Sequence, residues 1–218
     1  VISPPAHTAF SDAPGMLDFI SELRELANGK PVGIKLCLGH RKEFDELVQA
    51  MLMKKTYPDF IVVDGAEGGT GAAPLEFTNY IGMPGLDALM VIVDSLRRVG
   101  LKDKIKIIAT GKITTAFDIV RLLCLGADAT YAARSMMLAL GCIQALRCNS
   151  NNCPAGVATQ DPNLVKGLNV PTKRNRVKNF HHETLGAVAH VIGAMGLTDP
   201  RQLNRSYLHK RIDEKIKT

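Results

Sequence analysis

Four short β-rich runs punctuate the chain: PVGIKLC at 31–37, DFIVVDG at 59–65, KIKIIATG at 104–111 and DATYAARS at 128–135. Each ends in small or polar residues. The stretches between them carry apolar residues at helical spacing, with Phe44, Leu47, Val48, Met51 and Leu52 on one face and Leu86, Leu89, Met90 and Val93 on the next. Phe117, Val120, Leu123 and Cys124 repeat the pattern in the third connection. Nearly continuous apolar strands joined by helices predict parallel βαβ units with both sheet faces covered. Upstream, VISPP reads as the end of a further strand, and Met16, Phe19, Ile20, Leu23 and Leu26 share a face of the helix after it. That makes about five strands.

A doubly wound open sheet suits the count, but its nucleotide sites usually carry GxGxxG in the first βα turn, and no such pattern follows a strand here. The informative polar residues sit instead at the C-terminal ends of several strands, where the loops of a (β/α)8 barrel build its active site. Five strands do not close a barrel, and Val1 falls inside a strand-like run. The expected fold is therefore a TIM-type (β/α)8 barrel, present as its C-terminal half, about strands 4–8. Residues 1–160 would form the barrel portion with a cysteine loop, and 161–218 a basic extension with one helix packing on it.

Composition narrows the class. With 46% hydrophobic and 22% charged residues over 218 positions, the chain can bury a sizeable core. No run long enough to span a membrane and no signal-peptide pattern is visible, and five cysteines are few and odd in number. A cytoplasmic, reducing location is the expectation. The net charge of +6 is concentrated late: Val165 to Thr218 holds eleven Lys and Arg against four acids. Lys173, Arg174, Arg176 and Lys178 suit an acidic partner or phosphate groups, yet no interleaved aromatics mark a nucleic-acid binder.

Chemistry concentrates at the strand ends. Lys35 is the lone charge in an apolar strand and should meet an anion, a polar ligand or water. Gly65, Gly68, Gly69 and Gly71 form a loop whose backbone can approach a ligand, flanked by Asp64 and Glu67, either of them suited to proton transfer, ligand orientation or capping. Past Gly111, Thr114, Thr115 or Asp118 begins a helix, and another starts near Arg134. Backbone amides at two adjacent helix N-termini, beside Lys112 and Arg134, would make a phosphate cradle.

Cys142, Cys148 and Cys153 follow at once, the last two on a turn-rich loop. Three thiols suit an iron–sulfur cluster lacking one iron or having one non-Cys ligand. Zinc with His181 or His182 as fourth ligand is the alternative, in a non-catalytic scaffold that docks a partner through its basic tail. Unliganded loop cysteines are the third reading. Cys37 and Cys124 read as packing residues.

The series KPVGIKLC, DFIVVDGAEGGTGAAPLEF, ATGKITTAFDIVRLLCLGADATYAARSMM and GCIQALRCNSNNCPAGVATQDP resembles the FMN-binding synthase domain of glutamate synthases, in particular its short stand-alone proteins. The resemblance covers nearly the whole chain. It implies a barrel with FMN across its mouth and a 3Fe-4S cluster beside it, electrons passing from cluster to flavin and on to 2-iminoglutarate, giving L-glutamate. It also implies an electron-donor protein or subunit. Lys35 matches the strand lysine near the flavin, a catalytic position, and Glu67 lies in the loop at the active site. Gly68, Gly69, Thr70 and Gly71 match the loop beside flavin and substrate. Gly111 and Lys112, with Ala133 and Arg134, match two phosphate-binding turns, and the three loop cysteines match the cluster ligands. The long enzymes have Gly-Gly where this chain has Gly111 and Lys112, and His and Asp where it has Ala66 and Glu67. The phosphate site and substrate therefore need not be identical. A glutaminase domain is not expected within these 218 residues, so ammonia production from glutamine is not expected of them, and a half-barrel should bind FMN weakly, be inactive alone and self-associate through open strand edges.

Overall fold

A computed structural model describes residues 7–68 and 73–209. The expected strand at VISPP and the loop residues Gly69, Thr70 and Gly71 lie outside that range. Helix α1 (Ala13–Leu26) leads into β1 (Gly33–Cys37), α2 (Arg41–Lys54), β2 (Phe60–Asp64), the short α3 (Leu75–Asn79) and α4 (Gly85–Arg98). The chain continues through β3 (Lys106–Ala109), α5 (Ala116–Cys124), β4 (Ala129–Thr130), α6 (Arg134–Leu140), α7 (Pro162–Val165) and α8 (Val170–Ala194). Two single-turn 3-10 helices follow at Pro200–Gln202 and Arg205–Tyr207.

All strand pairs are parallel and neighbours in sequence are neighbours in space, in the order β1-β2-β3-β4. That is the order of consecutive strands around a (β/α) barrel, and the chain forms an arc of one. Period-2 alternation sorts the strand residues by face. Ile61, Val63, Ile107 and Ala109 point outward and are at most 1% exposed, packed with Phe44, Met51, Leu89 and Ile92 of α2 and α4. The residues one along each strand point the other way, and there Lys35 and Cys37 are exposed, Phe60 and Ile108 half-buried, and Val62, between Lys35 and Ile108, buried. Helices thus cover one sheet face and leave the other open, which corrects the expectation of two covered faces. The helical faces hold with local exceptions. Leu26, Leu52 and Phe117 stand at the margins and are 73%, 40% and 54% exposed, while Leu17 is fully buried in α1.

Polar pins set the strand starts. Asp59, just before β2, accepts the Val32 N–H at 2.7 Å and the Arg24 guanidinium at 2.9 Å. Asp128, just before β4, repeats the device, accepting the Ile107 N–H at 2.7 Å and pairing with Lys102 at 2.8 Å. Each carboxylate ties its own strand to its neighbour and to the connection before that neighbour. Helix α8 starts on the Asn169 cap with Pro171 in its first turn. It lies against α5 and α6, where Val188 and Ile192 meet Val120 and Cys124. Cys124 is a packing residue, as expected; Cys37 is not, standing exposed at the end of β1.

Candidate functional site

The C-terminal strand ends open into a cleft of about 540 Å³, within the size of small-ligand sites. Lys35, Glu67, Gly68, Gly111, Lys112, Ala133 and Arg134 all line it, and so do Cys142, Cys148 and Cys153. These ten candidates share one surface, whereas Gly65, Thr114, Thr115, Asp118, His181 and His182 do not line it.

Lys35 rises from the open face of β1 and pairs with Asp64 at the end of β2, 2.8 Å away. The hydrogen bond to Asp64 holds the Lys35 ammonium above its ordinary pKa; partial burial opposes this, and Asp64's charge and Tyr131 add to it. Lys35 is therefore a fixed cation at the cleft floor. Tyr131, from the turn after β4, is the member that sequence reading missed. Only its place in the register, following Thr130 opposite Ala109, reveals it.

Glu67 joins three loops. Its Oε1 accepts the Gly85 N–H at 3.0 Å, its Oε2 meets Lys112 at 3.4 Å, and its stem covers Gly111. Gly111 (φ +115°) and Lys112 (φ +44°) are both left-handed, so the turn after β3 is sharp and a Cβ at Gly111 would press on Glu67 at 3.1 Å. Lys112 is consequently bent back over the cleft. Gly68 (φ +128°) lies against Arg134, whose Nη2 would be 3.0 Å from a Cβ there.

The two helix starts differ. At α5, Asp118 accepts the N–H groups of Thr114 and Thr115 while Thr115 caps the Asp118 N–H. Burial pushes the Asp118 carboxyl up, but those amides, the Thr115 hydroxyl and Arg121 together hold it below the usual carboxylate range. A resident carboxylate thus takes up the Thr114 and Thr115 amides just before α5. The start of α6 has Ala133 as N-cap, with no capping side chain, and Ala132, Ala133 and Arg134 face the cleft.

The cysteines line the outer wall. Cys142 follows the Gly141 cap of α6 and accepts the Gln144 N–H at 3.4 Å. Cys153 is held below the ordinary thiol value mainly by the Ala158 N–H, against some burial, with further amides of residues 155–157 assisting. Cys148 is exposed. Among the described residues no three His, Cys, Asp or Glu side chains converge tightly enough to hold a single metal ion. His181 and His182 are exposed on α8 and do not line the cleft, so the zinc arrangement is not formed.

An arc of parallel strands with cationic and thiol groups gathered at its C-terminal mouth defines part of a (β/α) barrel with an open cleft. The pattern described as the conserved region in glutamate synthase matches residues 1–198, and the chain belongs to that family. It is 42% identical over 212 residues to the glutamate synthase large subunit-like protein YerD of Bacillus subtilis, covering 97% of this chain and 40% of that protein. It is 34% identical over 203 residues to the archaeal glutamate synthase (NADPH) of Methanocaldococcus jannaschii, covering 93% and 39%. The chain therefore spans about two fifths of these relatives. Among solved structures, a mutant flavocytochrome b2 with benzoylformate superposes with a TM-score of 0.52 at 15% identity, over 85% of this chain and 37% of that one. The flavin-binding domain of baker's yeast flavocytochrome b2 gives 0.51 at 14%, over 89% and 41%. These likenesses establish the barrel fold.

Proposed function

We propose that the protein is a glutamate synthase-like oxidoreductase that binds FMN in this cleft, holds a 3Fe-4S cluster on Cys142, Cys148 and Cys153, and forms L-glutamate from 2-iminoglutarate. The observation that carries the reading is the convergence of Lys35, the Gly111–Lys112 turn, Ala133–Arg134 and three thiols on one cleft.

The residues fit both groups. Lys112 and Arg134 bring cations and the α6 start, which no side chain caps, brings backbone amides to the cleft, and glycines at 68 and 111 leave room where a Cβ would be crowded. Thiols that bind different irons of one cluster stand farther apart than ligands of a single zinc, and the N–H groups directed at Cys142 and Cys153 stabilise thiolates. When bound, FMN supplies hydride transfer and the cluster single electrons. The chain's own part is electrostatic. Lys35, fixed by Asp64 and Tyr131, places positive charge at the cleft floor, where it favours an electron-rich ring or an anionic substrate. Glu67 orients Lys112 and keeps the loop after β2 against α4.

The departures at Ala66, Glu67 and Lys112 leave the substrate as a 2-imino or 2-oxo dicarboxylate class, with 2-iminoglutarate its first candidate. The test is glutamate formation by the full-length protein from 2-oxoglutarate and ammonia with a reduced viologen donor. We expect glutamate to accumulate, and Lys35→Met to lower the rate by about a hundredfold or more. A flavin-free protein that forms no glutamate would overturn the reading.

A further inference from the structure

We propose that Lys112 is a specificity-determining residue: its ammonium binds the remote carboxylate of a dicarboxylate substrate and so selects it over a monocarboxylate. This rests on reading the cleft as a substrate site, and names the residue that reads the substrate's far end.

The backbone gives the first reason. Among the described residues six non-glycine positions have positive φ, namely Asn28, Lys55, Lys112, Gln144, Leu146 and Asn151. Asn28 and Lys55 lie at the ends of α1 and α2, where left-handed residues are ordinary, and asparagine tolerates the conformation at 151. The other three, Lys112, Gln144 and Leu146, all line the cleft. Backbone strain gathered at a cleft points to a function there. At 112 a glycine would complete the turn after β3 without steric cost, as Gly111 (φ +115°) does beside it. What the lysine gains for the fold is one ion pair with Glu67, 3.4 Å long and with the lysine side chain 58% exposed, and such pairs contribute little. That pair does not account for the strain; an ammonium held over the cleft does.

Charge and spacing give the second reason. Among the described residues the cleft is lined by four cations, Lys35, Lys112, Arg134 and Arg147, against two carboxylates, Asp64 and Glu67. Its net positive charge suits a ligand with more than one negative group. One loop holds both lysines, Asp64 pairing with Lys35 at 2.8 Å and Glu67 with Lys112. The loop is tightly folded, because the Glu67 N–H donates to the Gly65 carbonyl at 2.7 Å, so a single closed turn separates the anchors of the two ammoniums. A short ligand with a carboxylate at each end can meet both. Lys112 is the looser of the two. One oxygen of Glu67 already accepts the Gly85 N–H, and the other meets Lys112 at a distance longer than a good charge-assisted hydrogen bond, which leaves the ammonium open to a ligand.

The test uses the full-length protein and two unreactive probes, glutarate and butyrate, with binding followed by calorimetry. The wild type should bind glutarate more tightly than butyrate. Lys112→Gly should weaken glutarate about tenfold or more, the loss of one charge-assisted hydrogen bond, and change butyrate little. Lys112→Arg should retain most of the preference. Because glycine relieves the left-handed strain, Lys112→Gly should not lower the urea midpoint, which also shows that the variant folds. Equal binding of the two probes by the wild type, equal losses for both in Lys112→Gly, or a lowered midpoint would each overturn the proposal. Glutarate binding untouched in Lys112→Gly while FMN is lost would assign the ammonium to the flavin phosphate and overturn it as well. A protein without flavin or iron that prefers glutarate through Lys112 would sink the glutamate synthase reading and leave the dicarboxylate site standing. Glutamate formation together with glutarate binding that is independent of Lys112 would do the reverse.

Discussion

Both carboxylate oxygens of Glu67 are occupied, one by the Gly85 N–H at the start of α4 and the other by Lys112. Helix α4 begins after Pro84, which has no side chain that can cap, so Glu67 serves as its cap from another loop. Removing that acceptor should cost about 1–2 kcal/mol, with the neutral amide retaining most of it. Glu67→Ala should therefore lower the urea midpoint clearly and Glu67→Gln only slightly. Equal losses in the two variants would mean that charge, not the hydrogen bond, is what matters. The positions where this chain departs from the long enzymes, Glu67 and Lys112, thus contact each other. Lys35 was legible from the sequence because a lone charge in an apolar strand demands a partner. Asp64 stood out as a candidate but not as the partner of Lys35, and Tyr131 did not stand out at all, since both come from beyond β1 and only sheet register brings them to it. Cys37 was misread for the same reason: its apolar neighbours in sequence face the opposite side of the strand.

At the scale of elements, hydrophobic periodicity located the strands and the main helices to within a few residues, because each element buries one face against the same core. Thr114, Thr115 and Asp118 marked where α5 begins, and Thr115 with Asp118 form its capping box. What the pattern did not reveal is that Asp118 also takes the Thr114 and Thr115 amides. The Asp59 pin yields a pH prediction. Burial raises the Asp59 carboxyl, but the Val32 N–H and Arg24 outweigh it, so its folded pKa is below its unfolded value. Its contribution is complete above about pH 4, the ordinary carboxylate range, and is lost as pH falls through the folded pKa. Asp59→Asn should lower stability at neutral pH and flatten its decline under acid, as followed by denaturation at several pH values. Helix α8 provides a second check. Ile192 is 6% exposed in the contact with α5, and Ile192→Ala should cost about 2–4 kcal/mol in chemical denaturation.

For the molecule as a whole, the arc of four strands is covered by helices on one side only, with Phe60 and Ile108 half-buried on the open face. Among the described residues the outer edges of β1 and β4 have no strand neighbour. The 218-residue chain expressed alone should therefore self-associate and elute well above its 23.6 kDa mass in size-exclusion chromatography. A stable monomer that holds FMN tightly would contradict that. Among the described residues no helix is long and apolar enough to cross a membrane. The barrel was legible because polar residues cluster at strand ends, whereas the open face was not, because apolar strands look alike whether helices or other strands cover them. The central claim is that one cleft holds both a flavin and a three-thiolate iron–sulfur centre. It is tested most directly by measuring FMN, iron, zinc and acid-labile sulfide in the purified full-length protein. The account predicts about one FMN, three irons and four sulfides per chain, with the iron lost in Cys148→Ala. One zinc per chain, without flavin or sulfide, would contradict it.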